Sequence, residues 1–113
     1  MTFWSIRFEG LAVVAMLTNR QRKRVRSIAA SEWVSEFESG RARNKRQQAA
    51  QFRIIKRRIT DRIVDEFPSE SLLSSILMGI AIRFAFKLIE KWLDDQAWSA
   101  QDINAYNSKD ESR

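Results

Sequence analysis

The sequence predicts an all-α protein whose main feature is a long helical hairpin formed by residues 41–67 and 70–97. The chain of 113 residues contains three glycines and one proline. Such scarcity of chain-breaking residues is typical of long helices joined by short turns, since many-stranded β folds need more turn residues. Both hairpin segments also repeat apolar residues every three or four positions, as amphipathic helices do. We expect one helical domain over residues 1–98 and a polar, fraying tail over residues 99–113.

The start of the chain has a different pattern. Trp4, Ile6 and Phe8 alternate with polar residues, and a period of two is typical of a strand. No other segment is an obvious strand partner, so we predict a short aromatic arm. Its conformation could be a strand, an extended segment or the start of a helix. Aromatic side chains near chain ends are candidates for anchoring a partner protein, because they have few intrachain neighbours. These candidates are Phe3, Trp4, Phe8 and Trp98.

One or two helices are expected between the arm and the hairpin. Residues 11–17 form an apolar run that is too short to cross a bilayer. Basic residues follow this run instead of preceding it, unlike in a signal peptide, so we interpret it as a buried helix start. Ser31 is a candidate N-cap for a short helix that stops at Gly40. The apolar side of that helix consists of Trp33, Val34 and Phe37.

The hairpin helices are the most regular part of the sequence. The first ends before Pro68, because the residue preceding a proline disfavours helical geometry, and Ser69 is a suitable N-cap for the second. Residues 72–89 are long and apolar enough to suggest a membrane segment, but a mid-span arginine such as Arg83 costs about 2.5–3.5 kcal/mol on insertion. We therefore predict a core helix, one face of which packs against another subunit. The apolar stripe of the first helix is Ala49, Phe52, Ile55, Ile59, Ile63 and Phe67.

Positive charge is concentrated in one part of the chain. The net charge is +6, but residues 20–62 contain 14 Lys and Arg against four Asp and Glu, whereas residues 63–113 contain five against nine. This asymmetry indicates a local anionic partner or charge-matched self-assembly. Arginine predominates, and its planar set of donors matches phosphate geometry. The candidates for binding nucleic acid or another anion are Arg20, Arg22, Lys23, Arg24, Arg26, Arg41, Arg43, Lys45, Arg46, Arg53, Arg57 and Arg58.

Two further features of the basic region support an anionic partner. The helix predicted over residues 41–67 has cations at its N-terminal end and Asp65 and Glu66 at its C-terminal end, the reverse of what the helix dipole favours. An external anion or an acidic partner surface would offset that cost. Asn and Gln side chains among residues 41–48 are also able to contact phosphates or base edges. The alternative is that the cations form a solvated face or pair with acids of neighbouring subunits.

Composition argues against catalysis. The chain has no Cys and no His, which excludes disulfides, zinc sites built on Cys and His, and nucleophile systems that depend on His. The neighbouring carboxylates Asp61, Asp65 and Glu66, and also Asp94 and Asp95, are explained by surface pairing with nearby cations. We expect no enzyme activity, no metal site and no cofactor.

The sequence therefore favours a non-catalytic structural or assembly protein that docks into a larger complex, with a nucleoprotein assembly such as a virion as the setting. The expected partners are other protein subunits in a homo- or hetero-oligomer, with DNA or RNA as further candidates. The first alternative is a free nucleic-acid-binding protein that uses the Arg-rich helical region. The second is a peripheral membrane protein attached through residues 72–89. Integral membrane insertion is not expected, and we expect the chain in the cytoplasm or within a nucleoprotein particle, not secreted.

Overall fold

The computed structural model describes residues 17–38, 40, 42–67 and 72–111, and this part of the chain is helical throughout, apart from short links. Its helices are α1 (Asn19–Glu38), α2 (Lys45–Glu66), α3 (Leu72–Asp94) and α4 (Ala100–Glu111). No strand occurs among the described residues, and the all-α prediction is confirmed. The predicted aromatic arm lies outside the described residues. So do residues 68–71, and the hairpin of residues 41–67 and 70–97 therefore stays a prediction.

Helix α1 is continuous over 20 residues and begins with a capping box. Gln21 donates its backbone N–H to the Thr18 hydroxyl (3.1 Å), and the Gln21 side-chain oxygen accepts the Thr18 N–H (2.9 Å). The predicted N-cap at Ser31 is wrong, because no breaker interrupts the buried stripe of α1 and the helix passes through this position. Gly40 is confirmed as a stop, with a φ of +139° that a side chain would disfavour. The buried apolar stripe is Val25, Ile28, Ala29, Trp33 and Phe37.

Side-chain amides fix the start of α2, which lies four residues later than the sequence predicted. Asn44 is the N-cap, and its Oδ1 accepts the backbone N–H of Gln47 (2.9 Å). The Gln47 Oε1 accepts the backbone N–H of Arg43 (2.9 Å). From inside the helix, the Gln51 amide donates to the Gly40 carbonyl (2.7 Å) and holds the link between α1 and α2. The buried face of α2 is Ile55, Ile59 and Ile63.

Helix α3 runs in the same direction as α1. Arg26 of α1 contacts Phe84 of α3, and farther along both helices Trp33 contacts Trp92. The apolar residues of α3 that face α1 and α2 are buried, as the prediction of a core helix requires. None of the described helices is both long and apolar enough to span a bilayer.

The end of α3 is a Schellman motif. The Ala97 N–H donates to the Trp92 carbonyl (2.8 Å), and the Gln96 N–H donates to the Leu93 carbonyl (3.2 Å). Gln96 occupies the position after the cap with a φ of 55°, the left-handed value that usually selects glycine. This turn reverses the chain into α4.

Helix α4 corrects the prediction of a fraying tail over residues 99–113. Ser99 is its N-cap, because the Ser99 hydroxyl accepts the N–H of Asp102 (3.2 Å). Ile103 is buried, and Tyr106 packs against the core one turn later. These two side chains share one face of the helix, and α4 contacts α1.

The centre of the core is Trp33, which is fully buried. Its indole N–H donates to the Ala97 carbonyl (2.7 Å). The rings around it come from α1, α2, α3 and the link between α3 and α4, so one side chain contacts every one of these elements. These rings are Phe37, Phe52, Trp92 and Trp98, at centroid distances of 4.7, 6.5, 5.9 and 5.7 Å.

Candidate functional site

Some of the cations predicted to face an anion pair with acids of the same chain. The pairs between α1 and α2 are Arg24 with Glu66, Glu32 with Arg62 (3.2 Å) and Glu36 with Arg58 (3.1 Å). The partner on α2 moves back as the position on α1 advances, so the two helices are antiparallel. Arg24 and Arg58 of the predicted anion-binding set are therefore engaged within the fold.

These pairs account for part of the charge order that the helix dipole disfavours. Cations dominate the start of α1 and of α2, and carboxylates lie near the end of each helix. Because the helices are antiparallel, Arg24 near the start of α1 meets Glu66 at the end of α2. Glu36 near the end of α1 meets Arg58 of α2. At these positions the acids that face the cations belong to this chain, whereas the cations at the start of α2 have no described acidic partner.

The pairing of Arg24 with Glu66 also changes the titration of both groups. The hydrogen bond from the Arg24 side chain lowers the pKa of Glu66 below its ordinary value, and attraction by the guanidinium charges of Arg24 and Arg62 acts in the same direction. The same hydrogen bond raises the pKa of Arg24. Glu66 therefore stays ionised, and holds α1 against α2, to a lower pH than an isolated carboxylate would.

Arg26 is buried, which removes it from the predicted anion-binding surface. Its residue surface is 8% exposed, and its guanidinium carbon lies 5.6 Å from the centroid of the Phe84 ring. A cation–π contact of this kind stabilises the packing of α1 on α3. Arg22 is half-buried and donates to the Asn19 side chain. Both arginines thus have structural contacts within the chain.

One group of predicted cations stays exposed on a single face of α2. We call it the arginine stripe: Arg46, Arg53 and Arg57. At 3.6 residues per turn these positions lie within about 40° of one another, far from the buried isoleucine face. At a rise of 1.5 Å per residue the stripe is about 16 Å long. No described carboxylate lies within salt-bridge distance of these three side chains.

Two more predicted cations lie exposed near the start of α2, and two lie near the start of α1. Arg43 and Lys45 flank the N-cap at the same end of α2 as Arg46. Arg20 and Lys23 are exposed on the first turns of α1. Arg41 lies outside the described residues. The structure therefore divides the exposed cations of the predicted set into a surface on α2 and a separate one at the start of α1.

The amide side chains near the arginines have structural contacts. The Oδ1 of Asn44 and the Oε1 of Gln47 accept backbone N–H groups at the start of α2, and Gln51 bonds the link before it. Asn44 and Gln47 are exposed, and these contacts engage only their side-chain oxygens. The predicted contacts of Asn and Gln side chains with phosphates or base edges therefore stay a prediction.

Trp98 was predicted to anchor a partner because aromatic side chains near chain ends have few intrachain neighbours. In the structure, Trp98 does have such neighbours. Its ring stacks on Trp33, with 8° between the ring planes, and meets Phe37 edge-on at 4.6 Å. The sequence did not reveal this contact, because the turn that returns Trp98 to α1 is formed by Gln96, a residue without a turn signature. The other predicted anchors, Phe3, Trp4 and Phe8, lie outside the described residues.

No group of three or more potential metal-ligating side chains occurs in the part of the chain that the structure describes. The described residues form a helical scaffold with exposed cations. No protein-family model matches this chain, and comparisons with curated proteins and with solved structures returned no match.

Proposed function

We propose that this protein is a non-catalytic structural or assembly protein that docks into a larger nucleoprotein complex, such as a virion, with the arginine stripe directed at phosphates. The observation that carries the proposal is the exposure of Arg46, Arg53 and Arg57 on one face of α2, without a described acidic partner. Arg24, Arg58 and Arg62 pair with acids of the same chain, whereas the stripe is a surplus that internal pairing does not explain. The lack of Cys and His supports a role without catalysis.

Arginine is the side chain best suited to this contact, because its guanidinium group presents paired donors to phosphate oxygens. A rigid helix also keeps the three groups at fixed spacing, which reduces the entropy lost on binding. Since phosphate contacts carry no sequence information, the proposed binding is general for nucleic acid backbones.

The test compares two double variants that remove the same charge. R53Q/R57Q removes two cations of the stripe, and R83Q/K87Q removes two exposed cations of α3 with the same spacing. Binding to fluorescein-labelled RNA and duplex DNA is followed by fluorescence anisotropy over a range of salt concentrations. For duplex DNA each lost phosphate contact lowers the slope of log affinity against log salt by about 0.9.

We expect R53Q/R57Q to lower that slope by about 1.8 and R83Q/K87Q to leave it nearly unchanged. Equal slopes for the two variants would show that net charge, and not the stripe, determines binding. If the unaltered protein binds neither RNA nor DNA at low salt, the phosphate contact is excluded.

A free nucleic-acid-binding protein, the alternative function, would use the same surface. The two functions differ in the molecules expected to copurify with the chain. Native mass spectrometry of the protein purified from its source separates the two. An assembly protein is expected to carry further protein subunits, in a homo- or hetero-oligomer. A free binding protein is expected as a monomer, alone or with nucleic acid, and that result would replace the assembly role with this alternative.

A further inference from the structure

A groove opens where the first turns of α1 and α3 meet the end of α2. Its volume is about 740 Å³, and the groove is open to solvent along its length. Residues from two successive turns of α1 form one wall, about 10 Å long at 1.5 Å per residue. The described lining residues are Arg20, Gln21, Lys23, Arg24, Ser27, Glu66, Phe67, Ser74 and Leu77.

The α3 side of the groove consists of Ser74 and Leu77, and exposed apolar side chains of α3 lie beside it. Leu77 lines the groove, and Leu73 precedes it by four residues on the same face of α3. Leu73 is 58% exposed and the neighbouring Ile76 is 47% exposed. Exposed apolar side chains that adjoin one another mark interaction sites more often than isolated ones do. Phe67, partly buried, adds an aromatic ring to the same groove.

The α1 side of the groove is cationic. Arg20 and Lys23 are exposed at its rim, and no described carboxylate lies within salt-bridge distance of either side chain. Arg24 also lines the groove but is paired with Glu66. A binding partner would therefore have to place acidic groups along one side and apolar groups along the other.

We propose that this groove is the docking site for an acidic amphipathic helix of a partner protein. The proposal deepens the assembly role proposed above and rests on it, because it names the kind of subunit that the chain would dock against. A helix fits a groove between two helices by inserting side chains spaced three and four residues apart. Leu73, Ile76 and Leu77 would receive those side chains, while Arg20 and Lys23 would pair with carboxylates on the flank.

Two other anionic partners fit the groove less well. A nucleic acid would use the cations but would leave the exposed side chains of Leu73 and Ile76 without an apolar contact. A membrane surface is broad, whereas the lining residues form a concave site between helices. A helix that is acidic on one side and apolar on the other would pair with the cations and also cover the exposed apolar side chains.

The test uses a fluorescein-labelled two-heptad peptide of Leu and Glu, with the leucines on one helical face. A peptide of the same composition with the leucines distributed around the helix is its control. Anisotropy is measured with the full chain and with L73Q/I76Q, which replaces exposed residues. The matched variant I54Q/V64Q replaces two apolar residues of α2 that are 42% and 44% exposed.

We expect the amphipathic peptide to bind and the control peptide to bind at least tenfold more weakly. L73Q/I76Q should weaken binding about tenfold, equivalent to about 1.4 kcal/mol, while I54Q/V64Q should leave it unchanged. R20E/K23E should abolish binding of the Glu peptide and should bind a Lys version of the same peptide. Binding of the Lys peptide by R20E/K23E would show that this variant is folded and that the groove residues contact the peptide.

The proposal is overturned if the Leu and Glu peptide does not bind, or if L73Q/I76Q and I54Q/V64Q weaken binding equally. It is also overturned if L73Q/I76Q or R20E/K23E weakens binding to RNA or to phosphatidylserine vesicles while peptide binding is unaffected. The arginine stripe is tested separately, because R53Q/R57Q should reduce nucleic-acid binding and leave the peptide affinity unchanged. Failure of the groove and failure of the stripe are therefore distinguishable.

Discussion

The hydrogen bond from Trp33 to the Ala97 carbonyl makes a specific contribution to stability that two related substitutions can measure. Trp33 and Trp92 are both fully buried, and their rings contact each other. The Trp33 indole N–H has an acceptor 2.7 Å away. The Trp92 indole N–H is buried and has no hydrogen-bond partner in the described part of the chain. Tryptophan to phenylalanine therefore removes a satisfied donor at one position and an unsatisfied donor at the other.

The magnitudes follow from the two environments. W33F leaves the buried Ala97 carbonyl without its partner, which costs about 1–3 kcal/mol, in addition to the loss of packing. W92F loses similar packing but relieves a buried unpaired N–H that costs about 1–3 kcal/mol in the native protein. We expect W33F to lower the free energy of unfolding by about 2–4 kcal/mol and W92F by at least 2 kcal/mol less. For a small domain with roughly 5–10 kcal/mol of stability, W33F would remain folded.

Urea unfolding followed by far-ultraviolet circular dichroism measures both variants, and an unchanged m value confirms that the transitions are comparable. W33A is an additional variant, expected to cost about 3–5 kcal/mol because it also leaves a cavity. If W33F and W92F differ by less than about 0.5 kcal/mol, the hydrogen bond does not account for the position of Trp33. A larger loss for W92F than for W33F would refute the reasoning outright.

Three other substitutions test local features of the fold. Q96G should stabilise the protein by about 0.5–1 kcal/mol in urea unfolding, because glycine adopts the left-handed φ of this position without a Cβ penalty; a loss of stability would contradict the Schellman assignment. S99A should destabilise by about 0.5–2 kcal/mol and speed amide exchange in α4, since it removes the acceptor for the Asp102 N–H; unchanged exchange would mean that Ser99 is not the cap. The lowered pKa of Glu66 implies stability that is present above its ordinary value of 4.5 and is lost as the pH falls through its folded value. In acid titrations R24Q should therefore be less stable than the unaltered protein at neutral pH and equal to it in strong acid, and a difference that is independent of pH would exclude the pair as its cause.

The interiors of α2 and α3 were predictable from sequence, whereas the helix starts were predicted less well. Apolar spacing identifies a helix because burial acts on every turn, so the stripe through Ile55, Ile59 and Ile63 gives a strong signal. A helix start depends on a single side chain and its partner three residues later. Asn44 with Gln47 and Ser99 with Asp102 are such pairs, and both are visible in the sequence. For the missed helix α4, the sequence signal was this capping pair followed by two apolar residues, Ile103 and Tyr106, on one face.

The exposed cations were harder to predict than the helices, because the periodicity of one helix does not indicate which of its residues pair with another helix. Arg57 and Arg58 are adjacent in sequence, yet Arg58 points at Glu36 of α1 and Arg57 points to solvent. Their separation by 100° around α2 distinguishes them, but only once the side of α2 that contacts α1 is known. The contact of Trp98 with Trp33 was hidden for a similar reason, since the separation of these residues along the chain gives no indication of a stacked pair.

The charged side chains of α2 divide between two faces of the helix. Carboxylates of α1 engage Arg58 and Arg62, and this face of α2 sets the antiparallel packing. The opposite face carries the arginine stripe, which makes no ion pair with a described residue and contributes repulsion between like charges to the folded state. Removing the stripe should therefore cost the fold nothing, whereas removing the paired arginines should loosen α1 from α2. A stripe whose loss leaves the fold intact would agree with the proposed phosphate contact and equally with a solvated face, so the salt dependence of nucleic-acid binding is the measurement that separates the two.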